Sequence, residues 1–135
     1  DKVELIHSIN TLKLIKEVEK QASKIKKNIH VLLEVNIADE DSKQGFDKEE
    51  IRVAMDLIKE CPHIIVDGLM MMAPNIEPEE TRIHFKKTKE LLLELKEQYP
   101  MYPLKELSMG MSNDYKVALE EGATMVRIGS ALFKD

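Results

Sequence analysis

Two short runs near the end of the chain carry residue types that bind anions. In Ser108-Met109-Gly110-Met111-Ser112 an apolar, strand-like stretch gives way to glycine and serine, and Asn113 and Asp114 follow in the first turn of an expected helix. Ser112 is the natural N-cap there, its hydroxyl available to cap the helix or to meet a ligand. In Val126-Arg127-Ile128-Gly129-Ser130-Ala131 a second apolar run passes into small residues, which the pattern reads as the opening of a final helix. A helix start leaves backbone N–H groups unpaired at the positive end of its dipole, and that favours phosphate. Either turn alone is commonplace. Two consecutive βα turns at the carboxyl end of a parallel sheet, however, are where (β/α) barrels hold phosphate.

Arg127 interrupts an otherwise apolar run two residues before Gly129. Burying a guanidinium without a partner is costly, so this residue calls either for an acidic neighbour or for a ligand. A further candidate closes the dense apolar run Val31-Leu32-Leu33-Glu34-Val35-Asn36. Glu34 and Asn36 share one face by the period of two, and in a closed barrel alternate residues point inward. Asn36 therefore either lines a ligand site or begins the next loop and bonds its own backbone. In Met70-Met71-Met72 the outer two face one way and Met71 the other, and thioethers of this kind fill irregular gaps in cores. His7, His30, His63 and His84 show neither the spacing nor the cysteine companions of a metal site. The chain lacks a Gly-x-Ser-x-Gly elbow, a P-loop and a Gly-x-Gly-x-x-Gly run, and no carboxylate pair stands out as an acid–base couple.

These residues need a frame, and the hydrophobic pattern supplies one. Apolar strands are expected near residues 3–7, 30–36, 64–70, 104–108 and 124–128. Between them lie helical periods. The first is capped within Ser8-Ile9-Asn10-Thr11 and runs to about Lys26. The second is capped by Asp47, carries Ile51, Ala54, Met55 and Ile58, and stops at Pro62. The third opens at Pro78-Glu79 and runs to about Gln98, with Phe85, Leu91, Leu92 and Leu95 on its buried side, and the fourth follows Ser112. Gly45, at the end of a polar loop, is expected at positive φ. Strict β-α alternation gives a parallel α/β class and one domain, or part of one, over residues 1–135.

The chain has 25 acidic and 20 basic residues, a formal charge of −5, and 33% charged against 43% hydrophobic residues. That balance is of an ordinary soluble domain, and an acidic one argues against nucleic acid as the main partner. No run approaches the roughly 18 apolar residues of a membrane span. Lys24, Lys26 and Lys27 read as a solvated helix end. One cysteine, Cys61, makes no internal disulfide, and with no signal peptide in view the expectation is a reducing cytoplasm.

The run Leu107–Phe133, with Gly68-Leu69-Met70-Met71-Met72-Ala73-Pro74 and Ile6-His7-Ser8-Ile9-Asn10, closely resembles the pyridoxal-phosphate homeostasis proteins. These share a barrel with the N-terminal domain of alanine racemase. The resemblance implies a (β/α)8 TIM-type barrel, which typically takes about 250 residues. At about 30 residues per βαβ unit, a chain of 135 residues is expected to be a C-terminal portion lacking three N-terminal βα units. It further implies pyridoxal 5'-phosphate as cofactor, with Ser112, Gly129 and Ser130 on the phosphate and Arg127 beside the pyridine nitrogen. Met111, Met72 and Asn36 would border the cofactor, and phosphate or sulfate could take its place. Arginine only donates hydrogen bonds and stays charged, so it would keep that nitrogen unprotonated and the ring a weak electron sink. That suits a carrier in cofactor homeostasis, with an amino-acid racemase-like enzyme and an inactive half-barrel as alternatives. The family holds the cofactor through a lysine in an Ala-Val-Ser-Lys-like motif that this sequence does not contain, so exposed helix lysines are expected to form weak adducts. An open sheet edge would be covered by self-association or by the missing segment.

Overall fold

The structure is a computed structural model describing residues 7–36, 45–71, 81–109, 115–128 and 131–134. For residues 7, 115–116, 118, 125–128 and 131–134 the backbone alone is described. Ten elements follow in order: β1 (His7–Ile9), α1 (Leu12–Ile25), β2 (Ile29–Val35), α2 (Glu50–Ile58), β3 (Ile64–Met71), α3 (Arg82–Gln98), β4 (Glu106–Met109), α4 (Tyr115–Glu120), β5 (Met125–Ile128) and β6 (Ala131–Lys134). The strands form one sheet in the order β1-β2-β3-β4-β5-β6. From β1 to β5 every pairing is parallel. A parallel sheet that grows in one direction without reversing is wound as in a barrel, whereas a doubly wound sheet reverses its order at a switch point.

Helices cover one face of this sheet. Val31, Leu33 and Val35 of β2, Val66, Leu69 and Met71 of β3, and Leu107 and Met109 of β4 join Ile15, Ile51, Met55, Phe85 and Leu95 of the helices in one buried cluster. Leu32 and Met70 form a separate pair, as the period of two requires for residues pointing to the opposite face. The expected split between Met70 and Met71 is thus observed, while Met72 lies outside the described residues.

Local chemistry explains most boundaries. Thr11 caps α1 with its side chain, which accepts a hydrogen bond from Leu14 N at 3.1 Å. Asp47 caps α2: its Oδ1 accepts from Glu49 N and Glu50 N at 2.9 and 2.8 Å, and Glu50 Oε1 accepts from Asp47 N at 3.1 Å. That reciprocal arrangement is a capping box.

Two expectations are corrected. The first strand, expected near residues 3–7, runs on through Ser8 and Ile9, while the helix cap expected within Ser8-Ile9-Asn10-Thr11 is found at the last of them. Ser8 is exposed and Ile9 fully buried, so the strand alternation continues to Ile9 and the cap falls on Thr11. The final helix is replaced by β6, antiparallel to β5, with Ile128 paired to Ala131. That register leaves two residues, Gly129 and Ser130, between the paired ends. Gly-Ser between apolar runs is as good a hairpin signal as a helix start. The start of α3 expected at Pro78 falls outside the described residues, among which the helix begins at Arg82. No helix among the described residues is long and apolar enough to cross a membrane.

Candidate functional site at the carboxyl ends of the strands

At the end of β2 the chain turns into a loop whose base is closed by backbone bonds. Phe46 N donates to Glu34 O and Asn36 N donates to Phe46 O, both at 2.8 Å. Gly45 has φ +99°, and a Cβ there would meet Glu34 O at 2.9 Å, so both the dihedral and the close approach call for glycine. Asn36 begins this loop and also lines a cleft of about 530 Å³ with Asn10, Thr11, Leu12, Gly45, Phe46, Asp47 and Glu50. Asn36 thus stands both at the start of the loop and on the wall of a cleft.

On the sheet face opposite the helices, register places Glu34 beside Met70, Met70 beside Ser108, and Ser108 beside Met125. Glu34, Met70 and Ser108 are only 7%, 7% and 5% exposed. One row lower, Leu32, Gly68 and Glu106 are partners, and Glu106 is also buried. Gly68 makes this row possible, because a Cβ would sit 1.8 Å from Glu106 O. Beyond the row, Ser8 Oγ donates to Met70 Sδ at 3.1 Å and links β1 to β3.

The junction of β4 and β5 is held by Thr124. Leu107 N donates to Thr124 Oγ1 at 2.6 Å, and Thr124 N donates to Leu107 O at 2.8 Å. The connections that leave β4 after Met109 and β5 after Ile128 therefore start from adjacent strands. A second tie comes from Arg82, whose guanidinium forks onto Glu121 Oε2 at 2.6 Å and Glu120 Oε1 at 2.7 Å and joins α3 to the end of α4. Sequence reading missed Thr124, Arg82, Gly68 and Glu106. Thr124 carried a signal, a hydroxyl immediately before a strand, whereas the partners of Arg82 lie 38 and 39 residues away.

Among the sequence candidates, Asn36 is at the carboxyl end of β2 and the backbone of Arg127 lies in β5, paired with Leu132. Met72, Met111, Ser112, Gly129 and Ser130 lie outside the described residues. Two histidine–carboxylate pairs are remote from this end. His63 Nδ1 meets Glu19 Oε2, and His30 Nδ1 meets Asp67 Oδ1, each at 2.8 Å. His30 is the second residue of β2 and His63 just precedes β3, at the amino ends, where barrel residues serve stability. Cys61 lies in the same region; burial first, then Glu19 and Glu60, push its thiol pKa up from 9.0, so it is a packed thiol and not a nucleophile.

Known proteins share this architecture. The family model described as the alanine racemase N-terminal domain matches residues 1–135. A pyridoxal phosphate homeostasis protein of Aquifex aeolicus is 44% identical over 133 residues, 98% of this chain and 58% of that protein. A protein of the same name from Helicobacter pylori is 37% identical, over 97% of this chain and 57% of its own length. The structure of PipY from Synechococcus elongatus with PLP bound matches with a TM-score of 0.84 and 30% identity, covering 94% of this chain and 59% of that one. Alanine racemase from Corynebacterium glutamicum matches with a TM-score of 0.71 at 16% identity, over 93% of this chain and 34% of the enzyme, a likeness of fold alone. The chain spans a little over half the length of the curated relatives it matches. With all 135 residues matched, the chain belongs to the alanine racemase N-terminal domain family.

Proposed function

We propose that this chain contributes the phosphate-holding side of a pyridoxal 5'-phosphate-binding (β/α)8 barrel that serves intracellular cofactor homeostasis. The observation that carries the reading is the adjacency of β4 and β5, fixed by the Ser108–Met125 register and the Thr124 bonds to Leu107. It lets the two serine- and glycine-bearing connections leave the sheet side by side. The relatives named for pyridoxal phosphate homeostasis, and PipY with PLP bound, support the choice of ligand.

The described residues around this end bear on how such a cofactor would be oriented. Glu34 and Glu106, buried on the open face of the sheet, are carboxylates and would repel a phosphate. As the family resemblance implies, the phosphate would instead fall to the hydroxyls of Ser112 and Ser130 and to the backbone N–H groups around Gly129, with Met111 and Met72 bordering the ring. Because Ala131–Lys134 is a strand, no helix dipole starting at Ala131 adds to the contribution proposed for Gly129 and Ser130. Asn36, a neutral amide at the mouth, suits the polar edge of the ring. Arg127 would donate to the pyridine nitrogen and hold it unprotonated. When bound, pyridoxal phosphate supplies a reactive carbonyl and an electron-withdrawing ring. These residues bind and orient it with the ring kept a weak electron sink, which favours holding and handing over the cofactor above turnover.

The remaining βα units of the barrel would lie outside this sequence. The outer edge of β1, which pairs only with β2 among the described residues, would be covered by that segment or by self-association. The site is tested by titrating the protein with pyridoxal phosphate and following its absorbance. Ser112→Ala should weaken binding by about 1–3 kcal/mol through loss of a charge-assisted hydrogen bond. Equal affinity in the variant would remove Ser112 from the site.

A further inference from the structure

Along α1, Lys13, Lys16, Lys20 and Lys24 recur at intervals of three and four residues, and all four are exposed. At 3.6 residues per turn they fall in a sector about 80° wide and about 16 Å long. Exposed Lys26 and Lys27 follow immediately. None of the four takes part in an ion pair or hydrogen bond among the described residues. Glu17, which borders their sector, accepts instead from Gln21 Nε2 at 3.2 Å.

Several other cations among the described residues are engaged or interspersed with acids. Arg52 pairs with Glu94, Arg82 with Glu120 and Glu121, and Lys59 lies 5.7 Å from the centre of the Tyr99 ring. On α3 the exposed Lys86, Lys87 and Lys96 share the helix with exposed Glu90, Glu94 and Glu97. Like charges three and four apart destabilise a helix. The α1 stripe thus breaks a local rule, in a chain with five more acids than bases, and no ion pair among the described residues offsets it.

We propose that this stripe is a docking surface for an acidic helix of a partner protein. Its width is one side chain, and glutamates at i, i+4, i+7 and i+11 of a partner helix repeat with the same rise per residue as the lysines. A duplex nucleic acid is wider than the stripe and would bring its phosphates towards Asp47, Glu49 and Glu50 at the start of α2, which packs against α1. A bilayer would call for apolar side chains among the lysines. The exposed Leu12 and Ile25 lie outside the lysine sector, on opposite sides of it.

The test uses a 15-residue alanine-based peptide with glutamates at i, i+4, i+7 and i+11, and a control with glutamine at those positions. Titration calorimetry at low ionic strength should show binding of the glutamate peptide alone, weakening as salt rises. The combined change Lys16→Glu, Lys20→Glu and Lys24→Glu should reduce affinity by about tenfold or more, with an unchanged circular dichroism spectrum. The combined change Lys86→Glu, Lys87→Glu and Lys96→Glu should leave it within about twofold. No binding of the glutamate peptide, or equal binding by the α1 variant, would overturn the proposal. So would stronger binding to phosphatidylserine-containing vesicles or to a DNA oligonucleotide.

Discussion

Thr124 and Leu107 are bonded in both directions: the leucine N–H donates to the threonine hydroxyl at 2.6 Å, and the threonine N–H donates to the leucine carbonyl at 2.8 Å. The hydroxyl also faces Leu107 O at 3.4 Å. This exchange takes the place of a ladder pair just before β5 begins, and it fixes where the strand joins the sheet. Thr124→Val keeps the shape and removes the hydroxyl, leaving Leu107 N–H without its acceptor. The expected cost is about 1–3 kcal/mol, read as a lower urea midpoint, and Thr124→Ser should recover most of it. A valine variant as stable as the parent would show that the hydroxyl does not hold the junction.

Gly68 tests the close approach of β3 and β4. A Cβ placed 1.8 Å from Glu106 O cannot be relieved by a rotamer change, since the obstacle is backbone. Gly68→Ala should therefore force the strands apart and cost more than about 3 kcal/mol. Chemical denaturation measures this directly. A loss below about 1 kcal/mol, the scale of an ordinary surface change, would mean that the strands shift freely.

Alkaline conditions should expose the buried acids at the amino end of the sheet. Cys61 is raised above 9.0 by burial and by Glu19 and Glu60, and Tyr99 above 10.0 by burial and by its hydrogen bond to Asp56. Each stays neutral in the folded chain at pH values where the unfolded chain ionises. Their contribution is complete below the unfolded pKa and is lost as pH rises through the folded one. The urea midpoint should fall with increasing pH from about 9 upward, and Cys61→Ala should remove the first part of the fall. A midpoint that stays level to pH 11, roughly above both ordinary values, would contradict this.

Much of this architecture was legible in the sequence because it depends on neighbours. The positive φ of Gly45, the Asp47 cap, and the opposite facing of Met70 and Met71 all follow from spacing within a few residues. The rest depends on geometry between distant segments. Gly68 gives no sign in the sequence that a carbonyl from residue 106 will lie against it. The Arg82 fork needs two carboxylates from another helix, and it places a cation at a helix start, against the dipole preference. Gly129-Ser130 is ambiguous in itself, since the same pair opens a helix or turns a hairpin. What decides between them is whether Ala131–Phe133 finds a strand to pair with, and here β5 is that strand.

The central claim is that two connections leaving adjacent strands grip the phosphate of pyridoxal phosphate, and the most direct measurement compares the cofactor with pyridoxal, which lacks that phosphate. Two charge-assisted hydrogen bonds lost together correspond to at least about a hundredfold in affinity. The account predicts that pyridoxal phosphate binds at least that much more tightly than pyridoxal, and that Ser112→Ala narrows the gap by weakening the phosphorylated ligand alone. Equal affinities for the two ligands, or a Ser112→Ala effect that is the same on both, would contradict it.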